Sequence, residues 1–317
     1  VRRRFVLAAC AGALLSPGGA QGQRAVTLRA DNDAFNFWQM PWVRTDEEYT
    51  SGVQAGLVYD GAAGWGRRWA RGGRACGASA ANCVSHSYTL GQDIYTGERL
   101  KGRPQAIPGE RPDAGVLWIA ARQRTSGQRT TTDLGFTLGV IGKPSLAEDM
   151  QRLFHTIAPR LNRPITWGRQ MPAEPVFAIA LDHSRRWGAG ALQLQPHAGA
   201  SFGTLLTEAR AGAGARLERT FTLPFKRAVL AGPFSIALAS DAQLRAVARN
   251  AALSGAFFRK GPSVELRPLV TEYAGGLHLG WRTLDASWTA HSTSAEHVGR
   301  RAPHSWSTLA LTWRALR

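Results

Sequence analysis

The run Arg29-Ala30-Asp31-Asn32-Asp33 places two acids and an amide at the end of a stretch that alternates like a β-strand. Two carboxylates and a carboxamide there suit a hard cation such as Ca²⁺, which takes roughly six to eight oxygen ligands. The same run also reads as an ordinary Asx-rich turn. Farther on, Thr50 and Ser51 offer hydroxyls. Thr50 shares the parity of Gly52 and Gln54, which predicts an inward side chain, and Ser51 is predicted to point outward. A third group is His155, with Gln151 four residues before it on one face of an expected helix. A neutral imidazole with a pKa near ~6.5 is suited to taking a proton from water. A helix-borne His or Gln is also, commonly, just a solvated surface residue.

The helix is the single clear helical signal, PSLAEDMQRLFHTI from Pro144 to Ile157. Ser145 and Glu148 have capping-box spacing, which predicts a helix over 145–157. Leu146, Met150, Leu153 and Ile157 form an apolar stripe along it. A short helix set among strands would hold His155 rigidly over residues distant in sequence.

Around it the chain reads as strands. Twelve stretches alternate with period two, at about 25–32, 49–60, 84–96, 114–124, 131–141, 175–186, 190–202, 207–218, 233–249, 266–281, 283–293 and 304–316. Leu134, Phe136, Leu138 and Val140 oppose Gly135, Thr137 and Gly139, and Leu309, Leu311 and Trp313 oppose Ala310, Thr312 and Arg314. One face is apolar and the other small or polar. A soluble sandwich would bury the apolar face, whereas a transmembrane barrel shows it to lipid. The 35 glycines and the even strand number favour an all-β, antiparallel transmembrane barrel of about twelve strands.

Compartment follows from the start of the chain. Arg2, Arg3 and Arg4 precede an apolar run from Phe5 to Leu15 and a small-residue segment ending near Ala20. This predicts a secretory signal peptide over 1–20 and a barrel domain over 21–317. Leu7-Ala8-Ala9-Cys10 also resembles a lipoprotein box, and the arginines a twin-arginine signal. An outer-membrane location follows from signal and barrel together. In that oxidising compartment Cys76 and Cys83, in a Gly/Ala/Ser loop, are expected to pair as a disulfide. The net charge of +17 is almost all arginine, with lysine only at 101, 143, 226 and 260. Arginine recognises phosphates bidentately. With no nucleic-acid motif in the chain, the expected polyanion is a lipid or lipopolysaccharide head group. Gly199-Ala200-Ser201-Phe202-Gly203 matches the G-x-S-x-G elbow but lacks the helix that the motif requires after it.

DNDAF followed by TDEEYTSGVQAGL resembles the opening of the outer-membrane lipid A deacylase family. The resemblance runs on through Gly91-Gln92-Asp93-Ile94-Tyr95-Thr96 and Arg111-Pro112-Asp113-Ala114-Gly115. It includes Gly139-Val140-Ile141-Gly142 leading into the helix, and Trp167 through Glu174-Pro175. It implies a twelve-stranded barrel that removes the 3′-linked acyloxyacyl chain of lipid A with the help of Ca²⁺. Its catalytic set maps onto Asn32, Asp33, Thr50 and His155, and a substrate-binding lysine onto Lys101. Arg103 and Arg111 would then join Lys101 at the head group. The family opening usually reads Glu-Asn-Asp where this chain has Asp31-Asn32-Asp33, which leaves Asp33 and Asp31 both open as the metal ligand. Asn32 and Thr50 remain open as oxyanion donors or ligands, and Gln151 as an orienting group for His155. Two other readings compete: a porin-like or structural barrel, and a barrel that binds lipopolysaccharide without turnover.

Overall fold

The computed structural model describes residues 23–36, 48–70, 73–76, 82–97, 109–157, 167–188, 190–223 and 232–314. The expected signal segment lies outside them. Twelve strands close into an antiparallel barrel: β1 Gln23–Asn32, β2 Glu48–Asp60, β4 Cys83–Thr96, β5 Ala114–Ser126, β6 Thr130–Ile141, β7 Glu174–Arg185, β8 Leu192–Phe202, β9 Leu206–Leu223, β10 Gly232–Asn250, β11 Leu269–Trp281, β12 Leu284–Thr293 and β13 His304–Arg314. Each pairs with its neighbour in sequence, and β1 closes the ring on β13 from Ala25↔Arg314 to Asn32↔Ser307. Closure satisfies every strand edge, which a bilayer core demands because it offers no water. A two-residue strand, β3 Arg74–Ala75, lies outside the barrel and pairs parallel with β4. The disulfide Cys76–Cys83 ties that segment to the start of β4.

Alternation sorts the side chains. Leu28, Val53, Ile119, Leu138, Leu181 and Leu309 are exposed on the outer wall, Leu138 by 60 %. Arg29, Asp31, Gln54, Asp93, Arg210, Arg245 and Glu272 line an inner cavity of about 420 Å³ that touches every strand of the barrel. Such charges persist inside a barrel only when paired. Arg210 donates to Asp182 and, at 2.7 Å, to Glu208. Arg245 reaches Glu208 at 2.7 Å and Glu272 at 3.6 Å. One end of the lumen is stopped by an apolar core in which Val116, Ile141 and Val176 from the wall meet Met171 and the short helix α2, Ala251–Ser254.

That stoppered end also carries the longer helix, α1, Ala147–Ile157, which begins two residues later than the spacing predicts. A 3-10 turn, Lys143–Ser145, precedes it, and Leu146 takes a left-handed conformation at φ 58°. The capping box does not close. The Ser145 amide donates to the Gly142 carbonyl at 2.9 Å, and Glu148 instead accepts from Arg152. The expected apolar stripe does not seat the helix either: Leu146 and Leu153 are exposed. What seats it is the small Ala147 against Gly115 of β5, where any Cβ would collide with Ala147 and Ser145. Gly115 has the parity opposite to the lumen-lining Val116, so α1 rests on the outside of the wall. Gly199–Gly203 ends β8 in a hairpin to β9 with no following helix, so it forms no nucleophile elbow.

Candidate active site

A β-bulge decides which residues share the site. In the pairing of β2 with β4, Tyr49 opposes Tyr95 and Ser51 opposes Ile94, leaving Thr50 as the extra residue. Tyr49 therefore takes the inward place, its hydroxyl donating to Asp31 at 2.7 Å and lying 3.3 Å from Asp93. Thr50 turns the other way, its buried hydroxyl 2.6 Å from that of Thr96. Thr96 has the parity of Ile94, which packs with Ala147 of α1. Simple alternation put Thr50 inside, and the bulge overturns that: Thr50 belongs to the outer face, on the side of the helix.

The acid run splits in the same way. Asp31 faces the lumen, where it accepts from Arg29 at 2.8 Å, Thr308 at 2.7 Å and Tyr49 at 2.7 Å. Both its oxygens are engaged, so it is not placed with the outer-face residues as an alternative metal ligand. Asn32 has the opposite parity and lies between Ser51 of β2 and Ser307 of β13. Asp33 is buried and opens a 3-10 turn, Asp33–Phe35. Asn36 pins that turn to β13, donating to the Ser305 carbonyl at 2.8 Å and accepting from Ser307 at 3.0 Å. The structure thus brings Asn32 and Thr50 onto adjacent strands and one face, with Asp33 at the rim.

On the neighbouring strands, α1 is locked by a residue that follows it. The Trp167 indole donates to Gln151 at 2.8 Å, and Trp167 packs with Ile94 and Ala147. Gln92 of β4 adds a bond to the Ser145 carbonyl at 2.6 Å. Gln151 is therefore the residue through which the loop grips the helix. His155 lies one turn beyond it on α1, its side chain outside the described set, and Lys101 and Arg103 lie outside the described residues.

The sequence carried no signal for a second cluster at this end. Glu48 accepts from Arg111 at 2.7 Å and lies 3.3 Å from both His297 and Arg300, and His297 is 3.5 Å from Glu110. The partners are scattered along the chain, so no local spacing exposes them. Arg111 is fully buried and lies over the Tyr95 ring at 4.7 Å, which removes it from the head-group role expected for it. Glu48, Glu110 and His297 are close enough to suggest a metal site. Two guanidinium groups already answer Glu48, and Glu110 accepts from the Arg111 backbone amide, so the cluster is a clasp joining the start of β2 to the loops before β5 and after β12. Burial opposes a charge on His297, but hydrogen bonds to Glu110 and Glu48 raise its pKa from 6.5 to about 9. Burial likewise opposes a charge on Glu110, and bonds from His297 and the Arg111 amide hold its pKa below the usual carboxylate range. The clasp contribution of His297 is complete below its ordinary pKa and lost as pH rises through about 9, whereas that of Glu110 is lost on acidification. Amide protection factors in the 294–303 loop should therefore hold at neutral pH and collapse above pH 9. Protection unchanged up to pH 10 in hydrogen exchange would count against the clasp.

A closed antiparallel barrel with an apolar outer wall and a paired charged interior is the build of an outer-membrane protein. The family model for the outer membrane protein LpxR matches residues 5–315, and the chain belongs to that family. The structure is similar to LpxR from Salmonella typhimurium, with a TM-score of 0.72 and 18 % identity over 91 % of this chain and 99 % of that one. The β domain of the Bordetella autotransporter BrkA matches with a TM-score of 0.46 and 13 % identity, over 94 % and 100 % of the two chains. No curated protein sequence matches the chain. The protein resides in the outer membrane.

Proposed function

We propose that this protein is a Ca²⁺-dependent hydrolase that removes the 3′-linked acyloxyacyl chain from lipid A of lipopolysaccharide. The observation that carries the reading is the side of the wall on which the residues stand. Asn32 and Thr50 lie on the outer face beside a helix seated on that same face, where a membrane lipid would meet them. A lumen-facing set would instead suit a soluble solute.

Asp33, Asn32 and Thr50 offer a buried carboxylate, a carboxamide and a hydroxyl, an all-oxygen donor set that fits a hard cation. Asp33 is the acid that would hold it, since Asp31 is engaged in the lumen. When bound, Ca²⁺ would polarise the ester carbonyl. His155 takes a proton from the attacking water, the ester C–O bond breaks, and the proton passes to the departing sugar oxygen. Asn32 and Thr50, where not engaged as ligands, donate to the carbonyl oxygen as it gains charge. Gln151 and Trp167 hold α1 at a fixed height over the wall. Lys101 contacts the phosphorylated head group.

The porin-like alternative requires an open lumen, and the described lumen is lined by ion pairs along its wall and filled at one end by an apolar core. Purified protein in planar bilayers should therefore show no steady conductance above background; porin-sized steps would favour the alternative. The enzymatic reading is tested directly by incubating the purified protein with lipid A in detergent and Ca²⁺. The acyloxyacyl fatty acid should be released, and binding without release would favour the lipopolysaccharide-binding barrel.

A further inference from the structure

The outer wall carries an apolar groove of about 510 Å³ that spans β2, β1, β13, β12 and β11. Ala30, Ala55 and Ala286 leave space there between the bulkier Leu277, Trp288 and Leu311. The pairings place it in the fold. Ala30 opposes Leu309, and Leu309 opposes Trp288, forming a row across β1, β13 and β12. The next row toward the stoppered end is Asn32 opposite Ser307. Two residues of strand separate the rows, about 7 Å. The groove thus begins immediately below the polar row of the candidate site and runs along the lipid-facing wall.

A second contact ties the two together. The Trp288 indole, on the groove's rim, donates to the Phe35 carbonyl at 3.4 Å, in the 3-10 turn that Asp33 opens. The wall of the groove is therefore braced against the turn that carries a proposed metal ligand. We propose that the groove holds the fatty acyl chain next to the ester being cleaved and that its alanine floor sets which chain lengths are accepted. This inference rests on the deacylase reading and adds a specificity site to it. The chemistry fits: the lining is hydrocarbon, the surroundings are membrane, and the entrance lies beside amide and hydroxyl groups suited to an ester. An acyl chain in the groove would gain from each methylene buried, while its carbonyl stayed at the level of Asn32 and Thr50.

Ala286 lies in the row below Trp288, farther from the site, so enlarging it should shorten the groove from its far end. With the full-length protein in detergent, Ala286→Phe should lower kcat/KM on lipid A with a long 3′ chain by about ten-fold relative to a short-chain analogue, the scale of excluding a methylene or two. Leu138→Phe, on the outer wall of β6 away from the groove, serves as the control and should leave that ratio unchanged. Separately, Ala286→Cys carrying a fluorophore should lose at least half its emission with lipid A whose tails are brominated. Quenching without turnover by the wild type would keep the groove as a lipid-chain site and overturn the deacylase reading. Turnover with neither quenching nor a change in chain-length ratio would keep that reading, assign the groove to bilayer lipid only, and overturn this proposal.

Discussion

His155→Gln should lower the rate of lipid A deacylation by about 10²–10⁴-fold, the range for losing a general base, with the barrel still folded. The substitution is on a helix seated outside the wall through Ala147, Trp167 and Gln92, and none of these contacts involves position 155. Product release by mass spectrometry gives the rate, and heat-modifiable migration on gels reports the fold. Trp167→Phe is the companion variant. It keeps an aromatic ring in the Ile94–Ala147 cluster but removes the donor to Gln151, so the helix loses its fixed height rather than its base. Its loss should fall in kcat more than in KM, and stay below that of His155→Gln, since misplacement by an ångström costs up to about 10²-fold. Full activity in His155→Gln would return α1 to a purely structural role.

Chelation should reduce the activity to background, with Ca²⁺ restoring it and Mg²⁺ restoring less. Mg²⁺ demands ligands at about 2.0–2.1 Å in near-ideal octahedral geometry, whereas Ca²⁺ tolerates about 2.3–2.6 Å and irregular shells. A rim built from an amide, a hydroxyl and one buried carboxylate suits the less demanding ion. Asp33→Ala should mimic chelation and abolish the rise in thermal stability that Ca²⁺ gives by binding the folded state. Combined with His155→Gln it should cost little more than either alone, because groups acting as a unit are not additive. Asp31→Asn should instead leave the Ca²⁺ response in place and disturb the lumen, where Asp31 meets Arg29, Tyr49 and Thr308. Activity indifferent to chelation would remove the metal from the mechanism.

The barrel was legible because period-two alternation is local and repeats. The stretches expected at 49–60, 131–141 and 283–293 appear as Glu48–Asp60, Thr130–Ile141 and Leu284–Thr293. The expected 207–218 strand extends to Leu223, since its glycine- and alanine-rich course gives no sign of where it stops. Alternation failed at Thr50 because one bulged residue reverses the parity of everything before it, and a bulge has no composition of its own. The helix was legible and its packing was not. Its apolar stripe does not say what covers it, since in a membrane protein apolar residues need not be buried in protein, and a small Ala147–Gly115 contact sets the geometry. The clasp of Glu48, Glu110, Arg111, His297 and Arg300 was invisible, because closing the barrel is what brings β2 beside the loop after β12.

Cleavage of the 3′-linked acyloxyacyl chain of lipid A from the outer face of the wall is the function proposed for this barrel. Mass spectrometry of lipid A from cells expressing the wild-type chain, the His155→Gln variant or neither tests it most directly. Only wild-type cells should yield lipid A lighter by one acyloxyacyl group at the 3′ position. Identical spectra from all three, in membranes where the wild-type barrel is folded and Ca²⁺ is supplied, would contradict it.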